Sequence, residues 1–109
     1  MEHYETILSQ EANADIRSII RYIAVNLREP TTAESLLHRF EETFLSLETM
    51  PERFLLVSDA YLASAGIRTV SVGNYLLFYT VNRNTKIVYI LRVLYGKRNW
   101  IAILTEKPD

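Results

Sequence analysis

Cysteine is absent from the 109 residues. Its absence excludes disulfides, thiol nucleophiles and thiolate metal sites together, and it fits a reducing compartment such as the cytoplasm. Glycine and proline are scarce, with three of each. Gly66, Gly73 and Gly96 stand apart as single turn residues, so no glycine-rich phosphate loop can form. The two histidines, His3 and His38, are distant in sequence. His38 falls between two core positions of a helical pattern, so its ring is expected in solvent. Neither a metal nor an organic cofactor is expected. Long apolar runs are also missing. The longest, Phe54 to Val57 and Tyr75 to Tyr79, fall far short of the roughly 20 residues of a membrane span. The opening Met1-Glu2-His3-Tyr4-Glu5 has neither the basic region nor the apolar core of a secretion signal. The expectation is a soluble, cytoplasmic chain with no membrane partner.

What is present fits one folded domain spanning 1–109, large enough for a modest core. The net charge of −1 conceals an asymmetry. Through Leu55 there are five Lys/Arg against ten Asp/Glu, and from Leu56 onward seven against three. The first half is acidic and the second basic, so the second half can face nucleic acid or an acidic protein, or simply carry its charges in water. A strong sequence-independent nucleic-acid binder needs a larger positive excess.

Periodicity organises the chain. His3 to Leu8 reads as an opening strand. Ser9 is placed to cap a helix whose apolar stripe is Ala12, Ile16, Ile19, Ile20, Ile23 and Leu27, with Glu11 at the positive end of its dipole. Pro30 breaks that helix, and Thr31 to Glu34 reads as a capping box for a second one. Its stripe is Ala33, Leu36, Leu37, Phe40, Phe44 and Leu47, and it stops before Pro51. The short connection predicts an antiparallel helical hairpin. Glu52 to Ala65 is irregular, with room for one helical turn. Arg68 to Val72 alternates as a strand, Gly73-Asn74 is a two-residue hairpin turn, and Tyr75 to Val81 is its partner. Asn82 to Thr85 turns the chain into a last strand, Lys86 to Leu94. The result is an α+β fold of order β-α-α-β-β-β, an antiparallel sheet with the helical hairpin on one face. The last two strands are apolar on both sides, so the second face needs a cover too. The C-terminal Trp100, Ile101, Ile103 and Leu104, or a partner, would supply it.

The residues that invite chemistry follow the last strand: Arg92, Tyr95, Gly96, Lys97, Arg98 and Trp100. Gly96 lets the backbone turn and presents two adjacent cations. Guanidinium groups suit phosphate oxygens, and tyrosine or tryptophan rings can stack on bases. Arg68 begins a neighbouring strand and could reach the same end of the sheet. The competing reading is structural: Arg68 and Arg92 balance carboxylates, and Trp100 and Tyr79 are core. Lys97 and Arg98, by contrast, do nothing for packing. Metal-free RNA cleavage needs a base, an acid and a cation on the phosphate. The cations are here, but no convincing acid–base pair is.

The ordered set Gly66-Ile67-Arg68, Gly73-Asn74-Tyr75 with Phe78-Tyr79, and Arg92-Val93-Leu94-Tyr95-Gly96-Lys97-Arg98 resembles the RelE/ParE superfamily, the toxins of bacterial type II toxin–antitoxin pairs. The closing Gly-Lys-Arg and the long helical hairpin look closest to the ParE-like branch. Where the mRNA-cleaving branch carries an arginine after the turn tyrosine, this chain has Leu76. Where that branch carries a catalytic tyrosine or histidine near the C-terminus, it has Leu104. Arg98 matches the superfamily's C-terminal arginine, and Tyr95 replaces the histidine common before Gly-Arg-Arg.

The resemblance implies a growth-arresting toxin neutralised by a cognate antitoxin that wraps the sheet, with contact to operator DNA only through that antitoxin. Inhibition of DNA gyrase is the first implied activity, with Arg68, Arg92, Lys97, Arg98 and Trp100 as target contacts. The alternative is a metal-independent endoribonuclease acting on mRNA at the ribosome, with Arg98, Lys97 and Tyr95 as catalytic residues. A further alternative is a module that only binds the antitoxin or regulates its own operon.

Overall fold

The computed structural model describes residues 2–106; Met1 and 107–109, the ends of the expected domain, lie outside it. Strand β1 (Glu5–Leu8) leads into helix α1 (Gln10–Arg21). Ser9 caps α1 as expected, its hydroxyl accepting the Ala12 N–H at 3.0 Å. The helix then widens into a π-turn over Tyr22–Asn26, in which the Leu27 N–H reaches back five residues to the Tyr22 carbonyl. Arg28, at φ +55°, ends it in the left-handed region. Pro30 therefore does not break the first helix; it opens the second, α2 (Pro30–Ser46), from the N1 position. A proline there loses nothing, because that N–H has no helical acceptor anyway. With Glu29 as N-cap the helix starts two residues early, so the Thr31–Glu34 capping box is not formed.

The irregular stretch holds one short helix, α3 (Ala60–Ser64), capped by Asp59. Strands β2 (Arg68–Val72), β3 (Tyr75–Asn82) and β4 (Ile87–Tyr95) make the expected meander, and α4 (Trp100–Thr105) ends the described chain. Only Gly73, the first residue of the β2–β3 turn, takes positive φ (+59°) there. Asn82 closes the next turn by accepting the Asn84 and Thr85 N–H groups.

The sheet order is β1-β4-β3-β2. β2, β3 and β4 pair antiparallel, but β1 lies parallel to β4, so the sheet is mixed rather than wholly antiparallel. The helical hairpin carries the chain across the sheet before β2 begins, a crossover that permits parallel pairing. A bulge on β4 breaks the register: Phe78 pairs with Arg92 and Tyr79 with Ile90, leaving Leu91 extra.

Both faces are apolar and both are covered. The hairpin packs Ala12, Ile16, Ile23, Ala33, Leu36, Phe40 and Leu47 on Val72, Leu77, Tyr79, Val88, Ile90 and Val93. Leu27 and Leu37, assigned to the same stripes, are exposed instead, because the π-turn and the rim of α2 carry them past the sheet. On the other face Phe78 and Leu94 meet Val57, Leu62 and Ile67, and Trp100, Ile103 and Leu104 of α4 pack against them. The chain's own C-terminal segment thus supplies much of that cover, while Ile101 stays exposed. Among the described residues, no helix is long and apolar enough to cross a membrane.

Candidate functional site

The expected cluster divides into residues that are held and residues that are free. Arg92 is held: its guanidinium donates two bonds, 2.8 and 2.9 Å, to the Asp15 carboxylate of α1. That carboxylate also accepts the Val93 N–H at 3.0 Å. The bond to Asp15 raises the Arg92 pKa above its ordinary value. Arg68 is held too, donating to the carbonyls of Phe54 at 2.7 Å and Glu52 at 3.2 Å.

Arg68 also does not share an end of the sheet with the cluster. It starts β2 opposite Tyr79, whereas Tyr95, at the end of β4, is level with Tyr75 and Val72. β2 and β4 run the same way, so four residues of strand, about 13 Å, separate the two levels. Trp100 lies half-buried against Phe78, ring centroids 5.4 Å apart.

Tyr95, Lys97 and Arg98 are exposed. Two backbone bonds shape their turn: Gly96 N–H to Asn74 carbonyl at 2.8 Å, and Arg98 N–H to Tyr95 carbonyl at 3.0 Å. Gly96 serves closeness rather than an unusual φ: an added Cβ would stand 3.2 Å from the Asn74 oxygen, a tight contact that would push the two backbones apart by a few tenths of an ångström. The Tyr95 ring packs edge-on against Tyr75, which packs edge-on against Phe40. Burial, followed by the neighbouring phenols of Tyr95 and Tyr22, raises the Tyr75 pKa.

Beside this turn runs an open groove of about 610 Å³ between the C-terminal half of β4 and α1. Asp15, Ile19, Tyr22, Leu27, Tyr75, Tyr95 and Arg98 line it. A second hollow of about 550 Å³ continues past Tyr22, Leu27 and Tyr75 to Arg39 and Gly73. Arg39 lies across the hairpin turn, its Nη1 3.2 Å from where a Cβ on Gly73 would stand. Among the described residues, no carboxylate comes within 4.0 Å of Arg39, Lys97 or Arg98. The site therefore has a largely apolar, tyrosine-rich floor, with Arg39 at one end and Arg98 at the other, cations without a carboxylate partner among the described residues. Sequence reasoning missed Arg39, whose only signal was a cation on the polar side of an amphipathic helix. It also missed Asp15, Tyr22 and Tyr75.

The chain matches the family model described as ParE toxin of type II toxin–antitoxin system, parDE, over residues 6–100. It belongs to the ParE toxin family.

Solved structures place this ParE-family chain in the same fold. It is similar to a chain of the chromosomal ParDE toxin–antitoxin system from P. aeruginosa, with TM-score 0.70, 18% identity, and 87% of this chain and 98% of that one covered. A chain of the toxin–antitoxin complex RelBE2 from Mycobacterium tuberculosis superposes with TM-score 0.60 at 22% identity, covering 85% and 98%. A chain of the archaeal RelE–RelB complex from Pyrococcus horikoshii OT3 gives TM-score 0.61 at 20% identity, covering 88% and 98%. No curated protein sequence matches the chain. The protein is thus a type II toxin of the ParE/RelE superfamily.

Proposed function

We propose that this toxin arrests growth in the cytoplasm by binding DNA gyrase without chemistry of its own, as one domain presenting Tyr95, Lys97 and Arg98, with Arg39 across the groove. The observation that carries this reading is the pairing of free cations with an absent acid–base couple. Leu76 and Leu104 occupy the slots where the mRNA-cleaving branch resembled above carries an arginine and a proton-transfer residue. Both pack into the apolar cluster behind the sheet with Phe78 and Leu94. Arg68 and Arg92 then serve as internal braces and Trp100 as a packing residue, rather than as target contacts.

The apolar groove suits an antitoxin, which would reach operator DNA on the toxin's behalf. Two of the structural neighbours were solved as toxin–antitoxin complexes, which supports such a partner. One feature favours a second reading, ribosome-dependent mRNA cleavage: Tyr95 and Arg98 share a groove, where a phenol and a cation could meet one phosphate.

A paired assay decides between the two readings. Purified toxin is added to gyrase supercoiling reactions and to mRNA-programmed ribosomes, with a known A-site nuclease as control. Loss of supercoiling with intact mRNA is the expected result. New mRNA 5′ ends at A-site codons would overturn it and make Arg98, Lys97 and Tyr95 catalytic.

A further inference from the structure

Strand β1 covers only half of β4. It pairs with Ile87 to Ile90 and then ends, because Ser9 turns the chain into α1. Among the described residues, no strand neighbours this edge of β4 from Leu91 to Tyr95, the stretch that delivers the cationic turn. An unpaired edge of that length would fray or pair with another chain.

Helix α1 takes the place of the missing strand with side chains. The Ser9 hydroxyl donates to the Leu91 carbonyl at 2.8 Å, and the Asp15 carboxylate accepts the Val93 N–H at 3.0 Å. The bulge at Leu91 makes this possible, since one extra residue turns the Val93 N–H outward to meet the helix. The same carboxylate grips Arg92, and its side chain is only 12% exposed. Three charge-assisted bonds at 2.8 to 3.0 Å converge on one partly buried group.

We infer that Asp15 is a positioning residue: it substitutes for an edge strand and sets the course of the final turn of β4, so that Tyr95, Lys97 and Arg98 are presented in one arrangement. The inference rests on the proposed role of that cluster, and the test separates the two.

Amide hydrogen exchange is measured on purified wild type, Asp15→Ala and Asp15→Asn. Val88 and Ile90, on the half of β4 that β1 holds, report global stability. Val93, Gly96 and Arg98 report the far half. In Asp15→Ala the far-half amides should exchange at least about tenfold faster after correction for the change at Val88 and Ile90. Asp15→Asn, which can still accept from Val93 but no longer neutralises Arg92, should fall between. A uniform change along β4 would mean that Asp15 contributes only general stability, and would overturn the proposal. If Asp15→Ala does not fold, the near-isosteric Asp15→Asn decides alone, and wild-type exchange beyond Ile90 in it is then the overturning result.

Growth arrest is scored beside this at matched protein level, with Lys97→Ala/Arg98→Ala as reference. Arrest lost in the double variant and weakened in the Asp15 variants is expected. Arrest lost in the double variant but intact in the Asp15 variants overturns positioning. Arrest intact in the double variant refutes the cluster reading itself, while the exchange result still judges the brace.

Discussion

The two ends of the sheet carry similar cations in opposite circumstances. At one end Arg68, Arg83 and Lys86 each have a carboxylate partner. Glu52 takes two bonds from Arg83 at 2.7 and 2.9 Å and lies 3.5 Å from Arg68, and Glu2 pairs with Lys86 at 3.0 Å. At the other end Arg98 and Arg39 line the two adjoining hollows and Lys97 is exposed beside them, and none of the three has a carboxylate within 4.0 Å among the described residues. Paired surface charge does little beyond local bracing. Unpaired charge beside uncovered aromatic surface is suited to a partner. A count of basic residues in the second half of the chain cannot tell these ends apart; only their partners can.

The strongest way to break this comparison is to remove charge from each end separately. Lys97→Ala/Arg98→Ala should abolish growth arrest, a loss of about 100-fold or more in target affinity if each cation contributes about 1.5–3 kcal/mol. Circular dichroism and antitoxin co-purification should be retained. Arg83→Ala, at the braced end, should leave arrest untouched. Plating efficiency under titrated induction measures both, and equal effects of the two variants would erase the distinction between the ends.

Arg39→Ala sharpens it. If the groove works from Arg39 through to Arg98, removal of this one cation should weaken gyrase inhibition about tenfold, in line with one charge-assisted contact. The melting temperature should hold, since Arg39 makes no side-chain hydrogen bond or ion pair among those described. An unchanged inhibition curve would confine the target surface to the turn after β4.

At the braced end the expected effect is on stability. Tyr79 is wholly buried, and its hydroxyl donates to the Pro51 carbonyl at 2.6 Å. Tyr79→Phe leaves that carbonyl without a partner and should cost about 1–3 kcal/mol in denaturant unfolding, with no change in arrest at permissive temperature. Burial also pushes the Tyr79 phenol up to about 12. The unfolded chain ionises near 10, so the stability this group contributes is present below pH 10 and is lost as the pH rises toward 12. The alkaline part of the stability profile should flatten in Tyr79→Phe.

Much of this was legible in the sequence, for reasons that can be traced. The stripes of α1 and α2, the Gly73-Asn74 turn and the apolar faces of β3 and β4 are local patterns, and burial follows them except at Leu27 and Leu37. Lys97 and Arg98 stood out because no packing role explains adjacent cations after a turn. What escaped depends on contacts between distant residues. The Arg92–Asp15 bonds join positions 77 residues apart, and no periodicity announces them. Arg68 could be read either as a target contact or as a brace, because its two shorter bonds go to backbone carbonyls, which carry no side-chain signature. The start of α2 departs from the expectation because a proline that would break a helix interior suits a first turn. Parallel pairing of β1 was invisible because strand order is settled by where the helical hairpin returns the chain.

The smallest effect expected is a pH dependence specific to the braced end. The Arg83 hydrogen bonds hold the Glu52 carboxyl below its ordinary value of 4.5, against an opposing desolvation. A carboxylate with a depressed folded pKa stabilises the fold above its unfolded value, and that contribution disappears as the pH falls through the folded one. Stability should therefore decline below about pH 4.5, and Glu52→Gln should remove part of that decline while changing little at pH 7. The pair lies at the surface, so salt should shrink the effect further. Melting curves from pH 3 to 7, with and without added salt, measure it. If Glu52→Gln left the acid limb unchanged, the Glu52 ion pairs would add nothing to the fold, Arg68 would be braced by its backbone carbonyls alone, and the contrast between the ends would not rest on charge pairing.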